Sequence, residues 1–159
     1  MTVWSITFAL TLTLAPFAAL ADDAPVLAEY FTNSGTLPPK YAWSTVVTLR
    51  EDGSLTLKHC RGYDTEGPAC QLLEARVPAD EVQAIRDAAL ASGLAADPAE
   101  PSDNVPVGGG TVSGAVYLDG QRLALPAFPV EADQDRVAEM LRQIEVAIPE
   151  RFDSVVDAD

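Results

Sequence analysis

The sequence predicts an α+β domain built on an antiparallel sheet, and three observations predict it. Two Asp-Gly dipeptides, Asp52-Gly53 and Asp119-Gly120, each lie between segments of alternating apolar residues, the pattern of a β-hairpin. Two stretches carry apolar residues at helical spacing, one in mid-chain and one closing it. Strands and helices do not alternate singly, so the βαβ units of a parallel sheet are missing. The expected sheet consists of a strand, two β-hairpins and a further strand, with two amphipathic helices packed on one face.

The elements follow in order. Residues 26–32 (VLAEYFT) read as the first strand, leaving through the turn Asn33-Ser34-Gly35. Leu37-Pro38-Pro39 is a stiff connector, because proline fixes its own φ and restricts the residue before it. Residues 44–60 (STVVTLREDGSLTLKHC) form the first hairpin. A two-residue loop at Asp52-Gly53 would set Leu49 opposite Thr56 and Val47 opposite Lys58, scattering the apolar side chains. A three-residue loop, Glu51-Asp52-Gly53, pairs Leu49 with Leu55 and Val47 with Leu57. Burial selects register, so the longer loop is expected, with Gly53 left-handed.

Residues 70–77 (CQLLEARV) are the further strand. The first helix covers 79–92, with Val82, Ile85 and Ala89 on one side and Gly93 as its stop. Residues 95–111 (AADPAEPSDNVPVGGGT) form a long loop. In the second hairpin, 111–126, the same Asp-Gly dipeptide suits a two-residue loop, pairing Val116 with Leu123 and Leu118 with Gln121. That register collects Val112, Gly114, Val116, Leu118, Leu123 and Leu125 on one face. In the last helix Val137, Met140, Leu141, Ile144 and Ile148 follow i, i+3, i+4, i+7, i+11. Asp133 and Asp135 near its start favour the helix dipole, and Pro149 closes it.

The ends and the charge bound the setting. Residues 1–21 hold no charged side chain, are apolar from Val3 to Leu14, and end in Ala19-Leu20-Ala21 before Asp22-Asp23. This is the layout of a secretory signal peptide cut after Ala21, although its n-region lacks Lys and Arg. The expected organisation is a signal peptide at 1–21, one α+β domain at 22–152 and a frayed tail at 153–159. A periplasmic or secreted location follows, with no stable membrane insertion after signal cleavage. The formal net charge of −14 repels phosphate backbones and anionic lipid heads, which argues against nucleic acid as a partner.

HCRGYDTEGPAC (59–70) contains the only histidine and both cysteines. In an oxidising compartment Cys60 and Cys70, ten positions apart, are expected to pair, contributing roughly 2–3 kcal/mol. The spacing is not the CxxC of a redox centre. A zinc site would need His59, Cys60 and Cys70 with Asp64 or Glu66, yet adjacent strand residues point to opposite faces, so no metal is expected there. His59 continues the Leu55, Leu57 face and reads as a half-buried, hydrogen-bonded histidine. Ser34 is the candidate nucleophile for such a histidine, but no GxSxG elbow surrounds it, and it reads as a turn serine after a strand. Gly108-Gly109-Gly110 lacks the GK[ST] ending of a phosphate-binding loop and leads into a strand. Asp97, Glu100, Asp103 and Asn104 offer oxygen ligands without the spacing of a Ca²⁺-binding EF-hand loop. Trp43 and Tyr41 beside the proline connector suit either core packing or a contact patch.

Tyr30-Phe31 leading into Ser34-Gly35, the Asp52-Gly53 hairpin, a helix, the Asp119-Gly120 hairpin and a closing amphipathic helix resemble small bacterial domains of the emfourin type. Some of those domains inhibit proteases. The resemblance spans most of residues 22–152, as topology and turn chemistry. Such domains often carry a second glycine after Ser-Gly, where this chain has Thr36, and they do not imply a Cys60–Cys70 disulfide.

Taken together, the expected function is an exported, non-catalytic binding domain without a cofactor. Its stapled loop presents Arg61, Tyr63, Asp64 and Glu66, and its expected partner is another exported protein such as a protease. Two alternatives stay open: a small periplasmic hydrolase using His59 with Ser34 or an acid, and a Ca²⁺-binding or structural envelope protein.

Overall fold

A computed structural model describes residues 24–152. The expected signal peptide, its expected cleavage after Ala21 and the tail from 153 therefore lie outside the described residues. Six strands form one antiparallel sheet: β1 (Val26–Asn33), β2 (Trp43–Arg50), β3 (Ser54–Arg61), β4 (Cys70–Arg76), β5 (Thr111–Leu118) and β6 (Gln121–Leu125). Their order across the sheet is β4-β3-β2-β1-β5-β6. With helices α1 (Ala79–Ala91) and α2 (Gln134–Val146), the architecture is α+β, as the segment pattern predicts.

Both hairpins take the register that burial selects. Leu49 faces Leu55 and Val47 faces Leu57 across the 51–53 turn. Gly53 adopts φ 82° there, and a Cβ on it would lie 2.6 Å from the Val77 carbonyl oxygen. The close approach exists because Val77 N–H donates to the Gly53 carbonyl at 2.8 Å, tying the strand that leaves β4 to the turn. In the second hairpin Val116 faces Leu123 and Leu118 faces Gln121, and Asp119 and Gly120 both take positive φ, as a two-residue type I′ loop requires.

The pairing places Ala28, Tyr30, Val47, Leu49, Leu55, Leu57, Val116, Leu118, Leu123 and Leu125 on one side of the sheet. All are buried, in one cluster with Val82, Ile85 and Ala89 of α1 and Val137, Met140 and Ile144 of α2. Each fully buried aliphatic side chain contributes about 1.5–3 kcal/mol of transfer free energy, so this cluster is the main source of stability. A register shift between Val26 and Ala28 accompanies the burial of the consecutive pair Leu27 and Ala28, which simple alternation would not permit.

The two ends of the last helix fall where the sequence places them. The last helix ends at Val146, before Pro149. Ala147 and Ile148 donate to Ile144 and Glu145 in a tightened final turn, and Pro149 has no N–H with which to extend it. Asp133 stands at the N-cap, where its charge favours the helix dipole, but makes no side-chain capping bond. Its carboxylate instead accepts the Glu100 N–H at 2.8 Å and Arg136 at 2.6 and 2.9 Å. It thereby clamps the long loop to the start of α2.

Antiparallel order sends the 34–42 connector, the 62–69 loop and the 103–110 segment to one end of the sheet. The tight turns at 51–53 and 119–120 lie at the other. No helix among the described residues is long and apolar enough to cross a membrane.

Candidate functional site

Cys60 and Cys70 face each other across β3 and β4 and are joined, with their Cα atoms 4.0 Å apart. Neither thiol is therefore a ligand or a nucleophile in this state. Register separates His59 from Cys60 by strand alternation: His59 lies on the side of Leu55 and Leu57. It is not half-buried, as expected, but 1% exposed. The reason lies across the ladder, where Thr45 is its register partner and bonds its Nδ1 through Oγ1 at 2.9 Å. The Trp43 ring then stacks on the imidazole, with centroids 6.0 Å apart and planes at 29°. Of the two aromatics beside the prolines, Trp43 is thus half-buried against His59, while Tyr41 is exposed.

Ser34 extends the β1–β2 ladder by one step. Its hydroxyl accepts the Trp43 N–H at 3.0 Å, and its own N–H donates to the Trp43 carbonyl at 3.1 Å. The hydroxyl bonded to His59 Nδ1 is that of Thr45, a side chain 2% exposed.

The loop end of the sheet is open to solvent. Arg61, Tyr63, Asp64 and Glu66 are all exposed there. Their loop is held at several points: the disulfide at its base, Gly62 N–H donating to the Ala42 carbonyl at 2.7 Å, and Tyr63 O–H donating to the Leu37 carbonyl. The connector is itself folded tightly, since the N–H groups of Tyr41 and Ala42 both reach the Pro38 carbonyl, at 2.8 and 3.0 Å.

The third loop locks onto the same connector through backbone contact. Gly35 adopts φ 73°, and a Cβ on it would fall 1.9 Å from the Gly109 carbonyl oxygen. Only glycine permits both the left-handed turn and this approach. Asn33 braces the junction with both ends of its side chain: Oδ1 accepts the Gly35 N–H, and Nδ2 donates to Thr111 Oγ1, each at 2.7 Å. Three loops far apart in sequence are therefore fastened together. At about 4.8 Å per strand, six strands make this end about 24 Å wide.

The fastened loops present apolar side chains outward. Leu37, Tyr41, Tyr63, Val105 and Val107 are all exposed, and Lys40 Nζ sits 4.6 Å over the Tyr41 ring. Sequence reasoning singled out Tyr63 and considered Tyr41, but it missed Leu37, Val105 and Val107. A signal for them was present: apolar residues beside proline or glycine, without partners at strand or helix spacing.

The acidic segment 97–104 has structural partners of its own. Arg136 donates to the Asp97 carbonyl at 2.7 Å and pairs with its carboxylate at 3.2 Å. The Ser102 N–H donates to the Phe128 carbonyl and the Glu100 carbonyl accepts the Val130 N–H, with Pro101 forming a bridge to Pro129 between them. The Glu100 N–H, and next to it the Arg136 guanidinium, hold the Asp133 carboxyl below the ordinary aspartate value. Among the described residues, no group of three or more His, Cys, Asp or Glu side chains is arranged to hold a metal ion.

No protein-family model matches this chain, and no curated protein matches it.

Proposed function

We propose that this chain is an exported, non-catalytic protein-recognition domain whose contact surface is the loop end of the sheet, and that its partner is an exported protease which it inhibits. The observation that carries this reading is the combination of rigidity and exposed apolar surface in three cross-fastened loops. Recognition gains affinity when loops are already held in their bound shape, because less conformational entropy is lost on association. Exposed tyrosine and aliphatic side chains are the residue types that anchor such contacts. A braced loop also resists being drawn into a protease cleft as an extended substrate.

Several further observations agree with the reading. The disulfide suits an oxidising compartment, and the apolar, uncharged residues 1–21 suit export. The emfourin-like order of elements and turns points to proteases as the partner class. The hydroxyl bonded to His59 belongs to the buried Thr45, and Ser34 is engaged with Trp43, an arrangement that favours recognition over hydrolysis.

The test is incubation of the oxidised protein with a panel of metallo- and serine proteases. Stoichiometric inhibition of at least one enzyme, weakened by Tyr63→Ala with Leu37→Ala, is the expected outcome. Rapid cleavage within 61–69 or 103–110 with no enzyme inhibited would overturn the proposal.

A further inference from the structure

Beside the loop end, a cleft of about 420 Å³ opens between the 102–106 segment, the 126–129 segment and α2. Phe128, Pro106, Pro126, Val137 and Leu141 form much of its wall, and its polar contributors, Ser102, Asn104 and Gln134, carry no charge. No ionisable side chain lines it, in a chain of net charge −14. Its volume falls in the ordinary range of pockets that take a ligand, and an apolar wall with a few neutral polar groups is the usual composition of such a site.

The cleft is also held open by the frame around it. Pro101 bridges to Pro129, Ser102 N–H donates to the Phe128 carbonyl at 2.8 Å, and Val130 N–H donates to the Glu100 carbonyl at 2.9 Å. Asp133 and Arg136 then tie this pair of segments to α2. Asn104 and Pro106, in the cleft wall, flank the exposed Val105 and lead directly to Val107, so the cleft is continuous with the loop end.

We propose that this cleft receives one uncharged apolar side chain, aromatic or leucine-like, from the protein partner, while the neutral amides of Asn104 and Gln134 serve its peptide backbone. The inference rests on the loop end being the contact surface and names the chemistry of its anchor. A cationic or anionic side chain gains nothing here: the lining holds no countercharge, and burying an unpaired charge is unfavourable. An apolar side chain loses only water.

The test uses heteronuclear NMR on the oxidised protein with four probes: the N-acetyl amides of phenylalanine, leucine, lysine and glutamate. The two apolar probes should give saturable shifts at the side-chain amides of Asn104 and Gln134 and at the Ala138 methyl. An affinity of about 1 mM is expected for ligands of this size, with the charged probes at least about tenfold weaker. Ala138→Phe, an exposed position of α2 that lines the cleft, should abolish those shifts while leaving the rest of the spectrum in place. Absence of saturable shifts at the cleft, equal binding of the charged probes, or unchanged binding in Ala138→Phe overturns the inference. The protease panel separates this outcome from the reading beneath it. Inhibition without probe binding removes the cleft alone, whereas probe binding without inhibition upholds the cleft and removes the protease.

Discussion

Reducing the Cys60–Cys70 bond should lower the unfolding midpoint by about 10 °C while leaving the fold intact. The bond closes a loop with a sequence separation of 10. For that length the chain-entropy relation removes about 9 cal/mol/K from the unfolded ensemble, or about 2.7 kcal/mol at 25 °C. An unfolding entropy of about 2.1 cal/mol/K per residue over about 130 residues makes each kcal/mol about 4 °C. The fold should survive because β3 and β4 are paired from Ser54–Arg76 through to the cysteines, and Leu55 and Leu57 are buried independently of them. The assay is calorimetry of the oxidised protein, of the same protein in a phosphine reductant, and of the double variant Cys60→Ala, Cys70→Ala. Hydrogen exchange should quicken chiefly in 61–72. A shift below about 2 °C would mean that loop closure in the unfolded chain is not what the bond restricts. Loss of a cooperative transition would mean that the bond supplies the fold itself, and either result refutes the reasoning.

Three further outcomes are expected. Gly35→Ala should destabilise by at least about 1 kcal/mol more than Gly108→Ala in urea unfolding: both have positive φ, but a Cβ at 108 meets open space, whereas one at 35 meets Gly109. Equal losses would show that the 34–42 and 103–110 loops are not locked. Thr45→Val should lose about 1–3 kcal/mol by removing the hydroxyl on buried His59 Nδ1, with Thr45→Ser restoring most of it; a neutral Thr45→Val would sink the claim. Asp133 has a folded-state pKa below its unfolded value near 3.9, so its contribution is present above that value and lost as pH falls through the folded pKa. Between pH 6 and 3 the wild type should therefore lose more stability than Asp133→Asn, and parallel losses would contradict the clamp. Glu139, lowered to about 2 by Arg142 and Gln143, is common to both proteins and cancels.

Much of the fold was legible because local chemistry and burial agree. The Asp-Gly dipeptides announce turns, and the spacing of Leu49, Leu55, Val47 and Leu57 chooses between loop lengths, since a one-residue slip would move each apolar side chain to the wrong face. The cysteine pairing was legible from spacing and an export-like leader. His59 was misjudged in degree because Trp43 approaches it across strands, and a residue's own strand pattern carries no record of its neighbour's ring.

By itself, then, the sequence determined the α+β class, the hairpin registers, the helix faces and the disulfide. Those features depend on residues close along the chain or on a period that repeats. Tertiary structure alone decided that Gly35 would meet Gly109, that Tyr63 would reach Leu37, and that Asp133 at the start of its helix would also hold Glu100. Such contacts join segments dozens of residues apart and follow from the order of strands in the sheet. The braced loop end and the cleft beside it are products of that order, which no local pattern encodes.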